Sequence, residues 1–227
     1  MKSIEDIYFL LLKRYGSQGW WPFVNHKATN PTKHGKVDGY HPRDYSFPVN
    51  GFQRFEIITG AILTQNTTWT SVEEALLNLH KLCAFCPRLM SDMNEEKIRQ
   101  AIKPVGYYNK KTQYLKNVAE FLLPIKNRVP TRAELLKVKG IGPETADCIM
   151  LYAFKELHFI VDSYTRRIFS HQGIIKGNES YKKIQELFEL SLPKNLIVYQ
   201  EYHALLNEHA KHYYRKKPYE DPILNSH

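Results

Sequence analysis

The stretch that decides the fold is LLKVKGIGPETAD, residues 135–147. A helical pattern ends at Gly140-Ile141-Gly142, and a second one begins at Pro143, a residue favoured in the first turn of a helix. Glycine removes the steric cost of a tight bend, and amides at the following helix N-terminus can face a phosphate. Ile141 would fill the space between the two helices. The pattern predicts a hairpin suited to a phosphate backbone, although an ordinary helix connection has the same spacing.

A carboxylate follows the hairpin after a short apolar stretch. Asp162 comes directly after His158 to Val161 and precedes a helical pattern from Tyr164 to His171. Aspartate is a preferred residue for starting a helix, because its side chain accepts a free backbone N–H. The residues alone leave open whether Asp162 only caps this helix or performs chemistry.

The chain is basic, which favours polyanionic partners. It has 227 residues with 32 Lys and Arg against 23 Asp and Glu, and a formal net charge of +9. Nucleic acid is favoured over a membrane, because no apolar run approaches the roughly 20 residues that span a bilayer. The acidic Glu5 and Asp6 are unlike a signal peptide, and three cysteines fit a reducing compartment. We expect a cytoplasmic, nucleoid-associated protein with no membrane partner.

Apolar residues recur at helical spacing through most of the chain, with no alternating strand pattern. The predicted helices are 3–14, 52–63, 69–82, 95–102, 110–123, 131–138, 143–154, 164–171, 181–190 and 196–214. Residues 16–51 are rich in Gly, Pro and aromatic side chains and predict a long ordered loop. The fold class is therefore all-α. We expect a central lobe over residues 51–158, and a second lobe formed by residues 1–50 and 159–227.

The hairpin and the Val161-Asp162 pair together resemble the helix-hairpin-helix DNA glycosylases of the endonuclease III type. The likeness extends to Leu63-Thr64-Gln65-Asn66-Thr67 and covers most of the chain from Trp20 to Lys211. The cluster-free 3-methyladenine DNA glycosylase III type is the most similar pattern, on Trp20-Trp21-Pro22 and His209-Ala210-Lys211, although residues 23–48 are longer here. The resemblance implies a two-lobed helical fold whose interlobe cleft binds double-stranded DNA containing a damaged base. It also implies that the protein acts as a monomer.

The resemblance assigns the chemistry to Asp162. This carboxylate would stabilise the positively charged sugar as the base departs and orient or deprotonate the attacking water. Bifunctional relatives have a Schiff-base lysine two residues after the second hairpin glycine, where this chain has Glu144. Lys139 is not at that position and is expected to contact the DNA backbone. A monofunctional enzyme without lyase activity is therefore expected.

The base pocket implied by the resemblance contains Trp20, Trp21, Trp69 and Lys211. Tryptophan stacks on a flipped base and attracts a cationic purine. Alternatively, Trp20 and Trp21 pin the loop to the core, Trp69 is a core residue, and Lys211 is an exposed charge on the terminal helix. Alkylated purines such as 3-methyladenine are the expected substrates, because a cationic base leaves easily. The alternatives are oxidised, deaminated or mismatched bases, or a non-catalytic module that binds DNA damage.

Other residues are assigned to DNA and ion contacts on the same resemblance. Gln65 would fill the space vacated by the flipped base with Asn66 beside it, although Asn66 could instead cap a helix. Lys110, Lys111, Arg166 and Arg167 are interpreted as backbone contacts or solvated charges. The hairpin residues expected at the DNA backbone are Lys139, Gly140, Ile141, Gly142 and Glu144, and the carbonyls expected to bind Na⁺ or K⁺ are those of Leu136, Val138 and Ile141.

Neither an iron-sulfur cluster nor a zinc site is expected. Many members of the resembling superfamily bind a four-cysteine cluster near the C-terminus, but no cysteine follows Cys148 in this chain. The Cys83-Ala84-Phe85-Cys86 pair lacks the second pair that a zinc site requires.

Overall fold

A computed structural model describes residues 2–32, 35–126 and 128–225, and every regular element within these ranges is a helix. The helices are α1 (Ile4–Tyr15), α2 (Gly51–Leu63), α3 (Trp69–Lys81), α4 (Pro87–Asp92), α5 (Glu95–Ile102), α6 (Tyr108–Ile125), α7 (Arg132–Leu135), α8 (Pro143–Cys148), α9 (Ser163–His171), α10 (Tyr181–Ser191) and α11 (Leu196–Tyr213). A 3-10 turn, Lys103–Val105, follows α5, and a π turn, Ile149–Ala153, continues α8. The all-α prediction is confirmed. Within the described ranges, no helix combines the length and apolarity that crossing a membrane demands.

Most predicted helices begin and end within two residues of the observed ones, when the π turn is counted with α8. One predicted helix is shorter than expected, and one observed helix was not predicted. The segment predicted over 131–138 is helical only from Arg132 to Leu135, because the chain turns at Leu136 into the hairpin. Its start is fixed by a capping box, in which Thr131 and Glu134 exchange side-chain-to-backbone hydrogen bonds. The six residues of α4 were not predicted, because so short a helix has no measurable periodicity.

The helices pack in two groups that meet at α2, α11 and the π turn. Helices α2 to α6 pack on one another, while α1 packs on α10 and α11 and α9 packs on α11. The amphipathic pattern of α1 explains its place, since Ile4, Ile7 and Leu11 are buried on one face. The residue bounds of the two expected lobes stay a prediction.

The long loop between α1 and α2 contains no helix or strand in its described residues, and buried carboxylates hold it to the helices. Residues 33 and 34 of the loop lie outside the described ranges. Each of three buried glutamates accepts a backbone N–H of the loop: Glu56 from Val24 at 2.8 Å, Glu73 from Lys36 at 2.9 Å and Glu201 from Gln18 at 2.7 Å. Burial raises the pKa of Glu56 to about 7, although the hydrogen bond from Val24 acts in the opposite direction.

Candidate active site

A cleft of about 770 Å³ lies between the α2–α3 connection, the long loop and helices α8, α9 and α11. The carboxylate, aromatic and amide residues expected in the site share this one cleft. They are Trp20, Trp21, Gln65, Asn66, Trp69, Glu144, Asp162 and Lys211. The remaining hairpin residues, Leu136 to Gly142, do not line it. The residues suited to base chemistry therefore line the cleft, whereas the hairpin turn suited to the DNA backbone lies outside it.

Asp162 both caps α9 and faces the cleft, so the two interpretations left open by the sequence are compatible. Its Oδ1 accepts the backbone N–H of Thr165 at 2.7 Å and the Thr165 hydroxyl at 2.8 Å. Its Oδ2 accepts a hydrogen bond from Asn207 Nδ2 at 2.9 Å. Asp162 is 8% exposed, so its carboxylate is held rigidly with a small accessible surface directed into the cleft.

Two residues of α11 beside Asp162 were not assigned to the site by the sequence. Asn207 reaches its carboxylate directly, and His203, one helical turn earlier, places Nε2 at 3.8 Å from Asp162 Oδ2. Both residues line the cleft. Their i, i+4 spacing indicates a shared helix face, but nothing local indicates that this face packs on α9.

Glu144 lies in the first turn of α8 and lines the cleft with Asp162. Its pKa is raised, first by partial removal from water and second by the negative charge of Asp162, while Arg166 opposes the shift. The side chain is still exposed at the cleft mouth, so solvent screens part of this effect. The residue supplies a second carboxyl group, and no amine, at this point of the hairpin.

The three tryptophans form one aromatic cluster with different degrees of burial. The rings of Trp20 and Trp69 are nearly parallel, at 21° with centroids 6.0 Å apart, and both are half-buried at the cleft. Trp69 Nε1 donates to Glu73 Oε1 at 2.9 Å, which fixes its ring. Trp21 is only 3% exposed and packs so closely on Gly60 that a Cβ there would lie 2.8 Å from its ring. Trp21 thus packs the loop against α2, whereas Trp20 and Trp69 keep part of their rings exposed at the cleft. Base stacking by these tryptophans stays a prediction.

Lys211 is half-buried at the cleft, in contrast to the alternative of an exposed terminal charge. Its Nζ lies 3.2 Å from Glu208 Oε2, and the same carboxylate contacts His212 through its other oxygen at 3.2 Å. Glu208 thus holds a lysine and a histidine side by side at the cleft.

Gln65 and Asn66 lie in the turn between α2 and α3. Gln65 Nε2 donates to the Gly140 carbonyl at 2.9 Å and to Thr145 Oγ1 at 3.1 Å, so its amide rests on the hairpin. Asn66 is exposed with a φ of 51°, and Thr68 caps α3. The alternative that Asn66 caps this helix is therefore wrong.

The lysine and arginine assignments are corrected in part. Lys111 is buried, and its Nζ donates to the carbonyls of Leu63 at 2.9 Å and Val105 at 3.2 Å, where burial lowers its pKa to about 8. It therefore ties the end of α2 to the 3-10 turn. Arg166 and Arg167 are half-buried and donate to the carbonyls of Glu179 and Tyr214.

The hairpin turn depends on Gly140. This residue has a φ of +104°, and a Cβ would lie 2.2 Å from Cγ of Tyr114. Val138 accepts the N–H of Ile141 at 3.0 Å through its carbonyl, which closes the turn. The monovalent cation at the carbonyls of Leu136, Val138 and Ile141 stays a prediction. In the described part of the chain, no three His, Cys, Asp or Glu side chains are grouped to bind a metal ion.

Replacing Gly140 by alanine should destabilise the protein by about 2–4 kcal/mol, because the backbone strain and the overlap with Tyr114 act together. Thermal unfolding measures the loss. Gly142→Ala is the matched control, since a Cβ at Gly142 meets no atom within 4 Å and its φ is −92°. Equal unfolding temperatures for the two variants would contradict the observed turn.

Comparison with known proteins agrees with this geometry. Residues 59–194 match the HhH-GPD superfamily of base excision DNA repair proteins. A putative DNA repair glycosylase of Methanocaldococcus jannaschii is 39% identical, over 95% of this chain and 90% of that protein. Endonuclease III of Sulfolobus acidocaldarius is 30% identical over 60% of this chain and 63% of its own length. The sequence match thus includes the hairpin, Asp162 and most of the cleft.

Solved structures extend the match to the fold. The H. pylori 3-methyladenine DNA glycosylase bound to 1,N6-ethenoadenine has a TM-score of 0.63 and 26% identity, covering 72% of this chain and 89% of that one. A trapped endonuclease III–DNA covalent intermediate has a TM-score of 0.73 at 18% identity, covering 98% of this chain and 94% of that one. The protein is a DNA glycosylase and belongs to the HhH-GPD superfamily of base excision DNA repair proteins.

Proposed function

We propose that this glycosylase is monofunctional and hydrolyses the N-glycosidic bond of alkylated purines such as 3-methyladenine. The observation that carries the proposal is the pair of nearly parallel rings, Trp20 and Trp69, in the same cleft as Asp162. Base stacking on an aromatic ring is favourable for any base, and a cation above the ring face adds about 0.5–2 kcal/mol. A positively charged purine therefore gains most from this pocket.

The charges around the cleft support the same substrate. Glu144 and Asp162 line it, and the buried carboxylates of Glu73 and Glu208 lie behind Trp69 and Lys211. The basic side chains of Arg167, Lys211 and Arg215 also line the cleft, and Lys211 is paired with Glu208. The attraction for a cationic base therefore comes from Asp162 and Glu144, and low-dielectric surroundings strengthen it. The H. pylori relative, described as a 3-methyladenine glycosylase, is a further support.

Asp162 would be the residue that assists cleavage of the N-glycosidic bond. Its carboxylate stabilises positive charge that develops on the sugar as the base departs, and water then attacks C1′. An alkylated purine leaves as a neutral molecule, so the reaction needs no acid to protonate the base. Glu144 cannot form a Schiff base, which favours an abasic site as the product and leaves the DNA strand intact.

The hairpin, with Lys139 exposed beside it, would bind the phosphate backbone of damaged duplex DNA. Gln65 and Asn66 are placed next to the hairpin and the cleft, where they would enter the space of the flipped base. One copy of the chain supplies all these residues, so a monomer suffices for the reaction.

The test is base release from a methylated duplex at modest salt, with strand cleavage scored before and after alkali. We expect release of 3-methyladenine and nicking only after alkali. Nicking without alkali would indicate a Schiff base, with Lys139 the first candidate. If no methylated base is released, a panel of oxidised, deaminated and mismatched duplexes decides between another substrate and a binding module that releases none.

A further inference from the structure

A chain of hydrogen bonds fixes the imidazole of His203 next to Asp162. The Tyr152 hydroxyl donates to the Gln200 carbonyl at 3.0 Å and lies 2.9 Å from His203 Nδ1. A carbonyl can only accept, so both contacts are hydrogen bonds only when the Tyr152 hydrogen points to Gln200 and the hydroxyl oxygen accepts from Nδ1–H. The neutral imidazole therefore carries its proton on Nδ1 and has a lone pair on Nε2.

The lone pair on Nε2 accepts no short hydrogen bond from a protein donor in the described residues. Asn207 Nδ2 lies 3.3 Å from it, but the same group lies 2.9 Å from Asp162 Oδ2 and 3.0 Å from the His203 carbonyl. The amide has two hydrogens for these three acceptors, and the two shorter contacts take them. Nε2 consequently remains able to accept a hydrogen bond from a molecule in the cleft, which His203 lines.

We propose that His203 is a second catalytic residue, whose Nε2 and the Oδ2 of Asp162 together hold the attacking water. The inference rests on the proposed hydrolytic function. The two atoms are 3.8 Å apart, too far for a direct hydrogen bond and suited to sharing one water molecule. Asn207 is a positioning residue, because it holds Oδ2 in place through its amide.

The imidazole of His203 would accept the proton that the attacking water loses. The C1′–N bond breaks with its electron pair moving to the base, and the water oxygen forms the new bond to C1′. One proton of the water passes to Nε2 and later to solvent. A cationic alkylpurine leaves neutral and takes up no proton, so a proton acceptor is what the site must supply.

The surroundings keep His203 neutral near pH 7. Burial lowers its pKa, while the charge of Asp162 acts in the opposite direction. As pH falls through this lowered pKa, Nε2 gains a proton and loses its ability to accept, so base release should slow on the acid side. The groups that contact His203 are Asp162 from α9, Tyr152 from the π turn, Asn207 from α11 and Trp20 from the loop. The other charged or titratable groups that line the cleft are Glu144, Cys148, Tyr164, Arg167, Lys211 and Arg215.

The test is His203→Gln under single-turnover conditions, on whichever lesion the unaltered enzyme releases. Glutamine can still accept a hydrogen bond from water but cannot take its proton. We expect base release to fall about 10²-fold and the slowing on the acid side to shrink or vanish. His171→Gln, an exposed histidine at the far end of α9, should leave both unchanged.

A loss of less than about twofold, or a uniform loss with an unchanged pH profile, would overturn the proposal in favour of a packing role. Nitrogen-15 NMR of the folded enzyme gives a readout independent of activity. The neutral ring with its proton on Nδ1 at pH 7 is expected. A doubly protonated ring, or a neutral ring with its proton on Nε2, would overturn the proposal. If the enzyme releases a neutral base instead, the proposed substrate fails and the proton-balance argument fails with it. The comparison of His203→Gln with His171→Gln on that lesion still decides whether His203 takes part in base release.

Discussion

Replacing Asp162 by asparagine should abolish most base release and leave DNA binding intact. The variant keeps an oxygen to accept the Thr165 N–H, so α9 retains its cap. It loses the negative charge that would stabilise the developing sugar cation. Groups of this kind contribute about 10²–10³-fold to rate, and we expect a loss of at least 10²-fold. Single-turnover release and binding to a damaged duplex are the two measurements.

Asp162→Ala separates the chemical role of this residue from its structural one. Alanine removes the charge and also the cap of α9, so it should be as inactive as the asparagine variant and less stable by about 0.5–2 kcal/mol. In the asparagine variant, Asn207 can rotate its amide to present an oxygen and avoid two facing donors. Release at the unaltered rate by Asp162→Asn would remove Asp162 from the mechanism and require another group to stabilise the sugar cation.

The hairpin and the helix order could be predicted because their determinants are local. A positive φ at Gly140 and a proline in the first turn of α8 are requirements of neighbouring residues, and they are visible in the sequence. Helical spacing likewise depends on residues three and four positions apart. The resemblance supplied Asp162, whose position at the start of α9 then follows from its capping bonds.

The partners of Asp162 could not be predicted in the same way. Asn207 and His203 reach it only because α11 packs on α9, a contact between residues more than 40 positions apart. Lys111 shows the same limit. It is adjacent to the exposed Lys110 in sequence, yet it is buried against the end of α2, and nothing in the local sequence distinguishes the two lysines.

Replacing Glu144 by lysine should introduce a covalent step into an enzyme that we propose to act without one. Glu144 lies two residues beyond Gly142 in the first turn of α8 and shares the cleft with Asp162. A lysine there would bring a primary amine towards C1′ of the sugar, where it could form a Schiff base. We expect Glu144→Lys to give a borohydride-trapped protein–DNA complex and nicking without alkali, whereas the unaltered enzyme gives neither.

The charges in the cleft determine how much of the introduced lysine is in the neutral form that attacks the sugar. Asp162 stabilises the charged ammonium and so opposes the neutral amine that attacks, while removal from water acts in the opposite direction. Glu144→Gln is the matched control, because it removes the charge without supplying an amine and should trap no DNA. If Glu144→Lys still releases base but forms no trapped complex even at a pH where the amine is neutral, the sugar lies beyond the reach of this position of α8.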